Sequence, residues 1–128
     1  MLASKLYHYR AELVSIYDGD TITVDLDLGC GVWKRKEKIR LWGINTPEIR
    51  TRNEQEKAAG YAAKARLTEL LGSGDLLIQT FREKETGKFG RLLGIVWSAG
   101  VNCNQRLIDE GHATEYFSGS RDMPKVAP

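Results

Sequence analysis

Thr21-Ile22-Thr23-Val24-Asp25-Leu26-Asp27-Leu28 alternates polar and apolar residues throughout, the period of a β-strand with one buried face. On its N-terminal side, residues 6–16 are rich in β-branched and aromatic types, and Asp18-Gly19 is a turn dipeptide that tolerates positive φ, so the two segments read as a hairpin. On its C-terminal side, Gly29-Cys30-Gly31 breaks the strand. Residues 32–41 then resume as a third strand, partly exposed to solvent.

Pro47 lacks an amide hydrogen and drives Thr46 toward an extended conformation, which places a loop from Asn45 to Glu48 at the end of that strand. Asn53 and Glu56 form a capping pair, and Ala59, Ala63, Leu67, Leu70 and Leu71 follow at helical spacing. A helix over residues 54–71 is predicted. Gly60 inside it costs about 1 kcal/mol against alanine, so a loose first turn or a later start is expected. Gly72-Ser73-Gly74 ends the helix, and residues 76–82 and 92–97 form two more strands around a polar hairpin loop, 83–90. Asn102 caps a short helix over 103–110 that stops at Gly111.

The order βββαββα defines an α+β, mainly β fold. It is a five-stranded barrel of the oligonucleotide-binding type, with one helix between strands three and four and a short helix after strand five. A length of 128 residues suits one such domain, assigned to 1–117, and residues 118–128 lack apolar periodicity and read as an extended or disordered tail. Hydrophobic residues make up 41% and charged residues 28%, which argues against a fibrous or wholly disordered chain. A monomer is expected. No apolar run is long enough for a membrane span and the first ten residues lack a signal-peptide core, so the chain as written reads as cytosolic, or as exported if a leader has been removed. Cys30 and Cys103 have no close pairing and read as free thiols.

A net charge of +2 is too small to establish nucleic-acid binding. Lys34, Arg35, Lys36, Lys38 and Arg40, with Arg50 and Arg52, nevertheless cluster on both sides of the loop, although taken by itself such a run is better read as a solvated strand face. Arg40, Glu48 and Arg91 supply two permanent cations and a carboxylate. That combination suits attack of water on a phosphodiester, where negative charge grows in the transition state. Adding Asp20 completes the parts of a metal-dependent nuclease. Asp25 and Asp27 lie on the polar face of an alternating strand and read as solvated. His8 and His112 lack ligand partners at metal spacing, and Trp33, Trp42 and Trp97 read as core or barrel-rim residues.

Asp18-Gly19-Asp20-Thr21, Arg40-Leu41-Trp42-Gly43-Ile44-Asn45-Thr46-Pro47-Glu48, Gly87-Lys88-Phe89-Gly90-Arg91 and Leu107-Ile108-Asp109-Glu110-Gly111 resemble, in order and spacing, the staphylococcal nuclease (thermonuclease-like) family. The resemblance implies a calcium-dependent endonuclease that cuts DNA and RNA, single-stranded or locally opened, with little sequence preference. It places calcium on Asp20, Asn45 and the Thr46 carbonyl. It makes Glu48 the group that orients or deprotonates water, and Arg40 and Arg91 the pair on the scissile phosphate. Lys88 and Tyr116 would contact nucleotide, with Phe117 the neighbouring alternative to Tyr116. Alanine at Arg40, Glu48 or Arg91 is expected to leave the fold intact. Asn45 stands where the family has its second calcium carboxylate, which predicts weaker metal binding, and Phe89 replaces a tyrosine. The chain also stops before the family's last helix, as a minimal member or a shortened chain would. The same family resemblance extends to catalytically weakened barrels that only bind nucleic acid or protein.

Overall fold

The computed structural model describes residues 6–72, 74–82 and 91–116. In chain order the elements are β1 (His8–Asp18), β2 (Thr21–Gly29), β3 (Val32–Leu41), β4 (Ile44–Asn45), α1 (Glu54–Leu71), β5 (Asp75–Arg82), β6 (Arg91–Ser98), β7 (Val101–Asn102), α2 (Cys103–Asp109) and β8 (Thr114–Glu115). Antiparallel ladders join β3 to β2, β2 to β1, β1 to β5 and β5 to β6. Parallel pairing of β3 with β6 closes the ring. Five long strands thus form the expected barrel, with α1 between the third and fourth and α2 after the fifth. The short strands β4, β7 and β8 were not anticipated, because two residues carry no period. Asn45, expected in a loop, instead ends β4 and pairs with Thr114.

The alternation in β2 does what its period requires: Ile22, Val24 and Leu26 are buried, while the intervening residues are only partly covered. Ile39 and Leu41 of β3 and Ile78 of β5 meet them in the core. Two bulges interrupt the β1–β2 register, one between Leu13 and Ser15 and one between Ile16 and Asp18. Val14 and Tyr17 consequently have no partner on β2, and both are exposed. Bulges of this kind re-aim side chains and sharpen the strand twist a closed barrel needs.

The Asn53 carboxamide accepts from the amides of Gln55 and Glu56, so α1 begins where the capping pair predicted. Gly60, Ala63, Leu67 and Leu71 are buried, whereas Ala59 is exposed. Gly60 neither loosens nor delays the helix. A Cβ at this position would lie 2.8 Å from the Pro47 carbonyl and 2.9 Å from Ile49, so the glycine is what lets α1 lie directly on the 47–49 segment. The loop 83–90 and the tail 118–128 lie outside the described residues.

Asn104 on α2 is fully buried and bonded through both ends of its amide. Its nitrogen donates to the Trp42 carbonyl at 2.9 Å and to the Gly94 carbonyl at 3.0 Å, and its oxygen accepts from the Val96 amide at 3.1 Å. One side chain therefore ties α2 to β6 and to the turn after β3. Asn104→Ala strands buried backbone groups, each costing about 1–3 kcal/mol, and is expected to lower the Tm by about 10 °C or more in a thermal melt.

Candidate functional site

The β1–β2 turn delivers Asp20 into the barrel corner where β3 ends. Its carboxylate is only 7% exposed. Oδ2 accepts from the Thr46 amide at 3.2 Å and the Thr46 hydroxyl at 3.0 Å, and lies 3.3 Å from Arg40 Nη1. Oδ1 accepts from the Thr21 hydroxyl at 3.1 Å. Burial alone would raise the pKa of Asp20, but the Arg40 charge and the hydrogen bonds with Asp18 and Thr46 outweigh it and hold the carboxyl below its ordinary value. Asp20 is therefore ionised at neutral pH.

Arg40 is not a solvated strand arginine. Ile39 and Leu41 on either side of it face the core, as alternation required, and the guanidinium folds along the barrel end. Nη1 donates to the carbonyls of Leu41 at 3.2 Å and Ile44 at 3.0 Å, and Nη2 reaches the Asn45 carboxamide oxygen at 3.4 Å. One nitrogen thus neutralises Asp20 and staples the turn between β3 and β4, and among the described residues Nη2 makes only its long bond to Asn45. The expectation that Arg40→Ala spares the fold therefore fails on geometry: breaking a mostly buried ion pair costs about 3–5 kcal/mol.

Gly19, in the same turn, is present for proximity and not for positive φ, since it is absent from the positive-φ glycines. A Cβ there would sit 2.9 Å from Ala63 and 3.0 Å from Thr46, so the turn, the loop and α1 meet at van der Waals distance.

Asp18 belongs to this site and was missed. Asp18-Gly19 by itself signals only a turn, whereas two carboxylates two residues apart at a strand end were the available signal. Asp18 Oδ1 accepts from the Asp20 amide at 3.1 Å. Burial first, then the shared hydrogen bond with the Asp20 carboxyl and the charges of Asp20 and Glu48, push its pKa up to about 6. Glu48 itself is exposed, its Oε1 accepting from the Arg50 amide at 3.3 Å.

Asp20, Arg40, Asn45 and Thr46 are thus brought together, with Asp18 beside them and Glu48 near enough to act on Asp18 electrostatically. Arg91 opens β6, its backbone paired with Lys38 two positions before Leu93 pairs with Arg40. The Arg91 side chain, Lys88, Phe89 and Phe117 lie outside the described residues. Tyr116 follows β8, is 49% exposed, and donates its amide to the Gly43 carbonyl at 2.8 Å, which sets it beside the β3–β4 turn. Behind the loop lies a cleft of about 370 Å³, lined by Asn45, Thr46, Pro47, Glu56, Ala59, His112 and Thr114 among others. His112, which has no ligand partner at metal spacing in the sequence, lines it.

Among the described residues no three His, Cys, Asp or Glu side chains converge as a ready metal cage. The donors at hand are carboxylate, carboxamide, hydroxyl and carbonyl oxygens, with no thiolate or imidazole between them. An all-oxygen set of this kind suits a hard cation that keeps several waters.

Residues 38–126 match the family described as staphylococcal nuclease homologue. The chain belongs to that family. It is 31% identical to the thermonuclease of Staphylococcus intermedius over 87% of this chain, and 32% identical to Protein ParB of Escherichia coli over 91%. It is also 32% identical to endonuclease YncB of Bacillus subtilis over 75%. The chain spans 63% of the length of Protein ParB, 62% of that thermonuclease and 43% of endonuclease YncB.

A raised Asp18 pKa means that the folded protein holds a proton the unfolded chain releases, so this group's stabilisation is complete below its ordinary pKa of 3.8 and is lost as pH rises through about 6. In metal-free protein, Asp18→Asn is expected to raise stability at pH 8 by about 1–2 kcal/mol after screening at a half-exposed site. The gain falls to about half at pH 5 and disappears only below the ordinary pKa of 3.8. Urea melts of parent and variant at both pH values check it.

Proposed function

We propose that the chain is a calcium-dependent endonuclease that hydrolyses phosphodiester bonds in DNA and RNA, with little sequence preference. The reading rests on the ionised Asp20 held against Arg40 and the Thr46 loop, with acids Asp18 and Glu48 alongside. It draws further support from the nuclease names among the relatives. Phosphate contacts, which carry most of the affinity of such an interface, do not read base identity.

Asp20, the Asn45 carboxamide and the Thr46 carbonyl would hold the ion, with Asp18 available as a further oxygen. Calcium bound there supplies a Lewis acid for the phosphoryl oxygen. Glu48, exposed and so open to solvent, takes the proton of the attacking water, a contribution of about 10² to 10⁴ in rate. Arg40 meets growing charge on the phosphate through Nη2, its Nη1 being engaged by the protein, and Arg91 is the second guanidinium in this reading. Lys88 and Tyr116 contact the nucleotide.

Denatured DNA incubated with the protein is expected to be cut with calcium and left whole with chelator. Salt-sensitive binding without cleavage under both conditions would instead establish a binding barrel. Glu48→Gln should lower kcat by about 10² or more while leaving the Tm within about 1 °C, because the side chain is exposed. Equal turnover in the variant removes Glu48 from the mechanism.

Asn45 contributes no charge to the ion. Asn45→Asp is expected to tighten calcium binding by about tenfold, since a unit charge near a divalent ion is worth about several kcal/mol before desolvation and its own pairing with Arg40. Isothermal titration gives the answer directly, and equal or weaker affinity would remove Asn45 from the ligand set.

A further inference from the structure

Tyr17 is the residue left over by the second bulge of β1, so it has no ladder partner on β2 and its ring stands 46% exposed immediately before Asp18. Two cations converge on that ring. The Arg50 guanidinium carbon lies 4.9 Å from the ring centroid and the Lys38 ammonium 5.7 Å from it. The two positive groups therefore lie no farther apart than those two distances laid end to end.

Like charges repel, and each ring contact is worth only about 0.5–1 kcal/mol at an exposed site. Elsewhere on β3, Arg35 pairs with Asp25 at 3.2 Å and Lys34 with Glu37 at 3.1 Å. Among the described residues, neither Lys38 nor Arg50 has an acid within ion-pair distance. Lys38 and Arg50 thus leave unmatched charge at the end of β3 nearest Asp20. Lys38 shares the outward face of β3 with Arg40, two residues along, about 7 Å at strand rise. That separation resembles the step between neighbouring phosphates of an extended nucleic-acid strand.

From this we infer that Tyr17, Lys38 and Arg50 form a second phosphate site, which grips the backbone of a single-stranded nucleic acid beside the scissile phosphodiester. Lys38 and Arg50 contact the phosphate. Tyr17 is a positioning residue that holds the two cations over one ring. The inference rests on the nuclease reading of the neighbouring site, yet it concerns binding and not turnover, so the two can fail separately.

The test is equilibrium binding of the full chain, in chelator so that no strand is cut, to single-stranded DNA of about ten nucleotides and to a dinucleotide, across a range of salt. For the parent, the longer strand should bind more tightly than the dinucleotide and with a steeper salt dependence. Combining Lys38→Gln with Arg50→Gln should weaken the longer strand by about tenfold and reduce its salt slope by about 1.4, about 0.7 for each cation that no longer neutralises a phosphate. Binding of the dinucleotide should be unchanged. Tyr17→Leu should weaken the longer strand, and Tyr17→Phe, which keeps the ring, should restore it. All these residues are exposed, so melting temperatures should match the parent. An unchanged slope in the double variant, an equal loss for the dinucleotide, or no binding of the longer strand by the parent overturns the second site. Cleavage by the parent with calcium but an unchanged slope in the double variant removes this site alone; a reduced slope without cleavage removes the nuclease reading alone.

Discussion

A carboxylate that is 7% exposed must be answered by the protein, and at Asp20 the answer organises the whole corner of the barrel. Its charge is met by Arg40 and its oxygens by the Thr21 hydroxyl and both polar groups of Thr46. Those partners come from the start of β2, the end of β3 and the loop beyond it. Satisfying one buried charge therefore fixes where the third strand stops and how the loop leaves it. The same Arg40 nitrogen that meets Asp20 also binds two backbone carbonyls, so binding chemistry and local fold are carried by one group.

The remaining supports work through close approach. Gly19 and Gly60 let the β1–β2 turn, the loop and α1 come together at distances that a side chain would forbid. Asn104 secures the opposite side of the β3 end by joining Trp42 to β6. The loop bearing Thr46 and Glu48, which leaves β4 at Asn45, is thus packed between a helix, a turn and a two-residue ladder, the kind of restraint a reacting geometry needs from its surroundings.

Charge along β3 is distributed unevenly. Lys34 of β3 is matched by Glu37 and Arg35 by Asp25, and Asp25, expected to be simply solvated, also accepts from the Lys36 amide at 2.8 Å. Nearer the site, Lys38 and Arg50 share an aromatic ring, with no acid within ion-pair distance among the described residues. A barrel with a net charge of only +2 can in this way present a locally positive surface next to an acidic cluster.

Local period and capping chemistry were enough to read the five long strands, both helices and their order, because each is specified by residues adjacent in the chain. Ile22, Val24 and Leu26 announce their burial by alternation alone, and Asn53 announces the start of α1. The family could likewise be read from four short motifs. Other features needed the closed barrel. The pairing of Asn45 with Thr114 joins residues far apart in sequence through strands too short to show a period. The purpose of Gly60 depends on a loop arriving at 2.8 Å, and Asp18 gains its perturbed carboxyl only when burial and Asp20 surround it. Arg40 shows the division most plainly: alternation sends its side chain away from the core, and only the folded corner supplies the buried carboxylate that draws it back. Sequence by itself determined the elements and the kinds of groups available, since hydrophobic period and turn chemistry are local. The tertiary structure decided which charges meet and which stay unmatched, because burial and separation across the barrel exist only once it has closed.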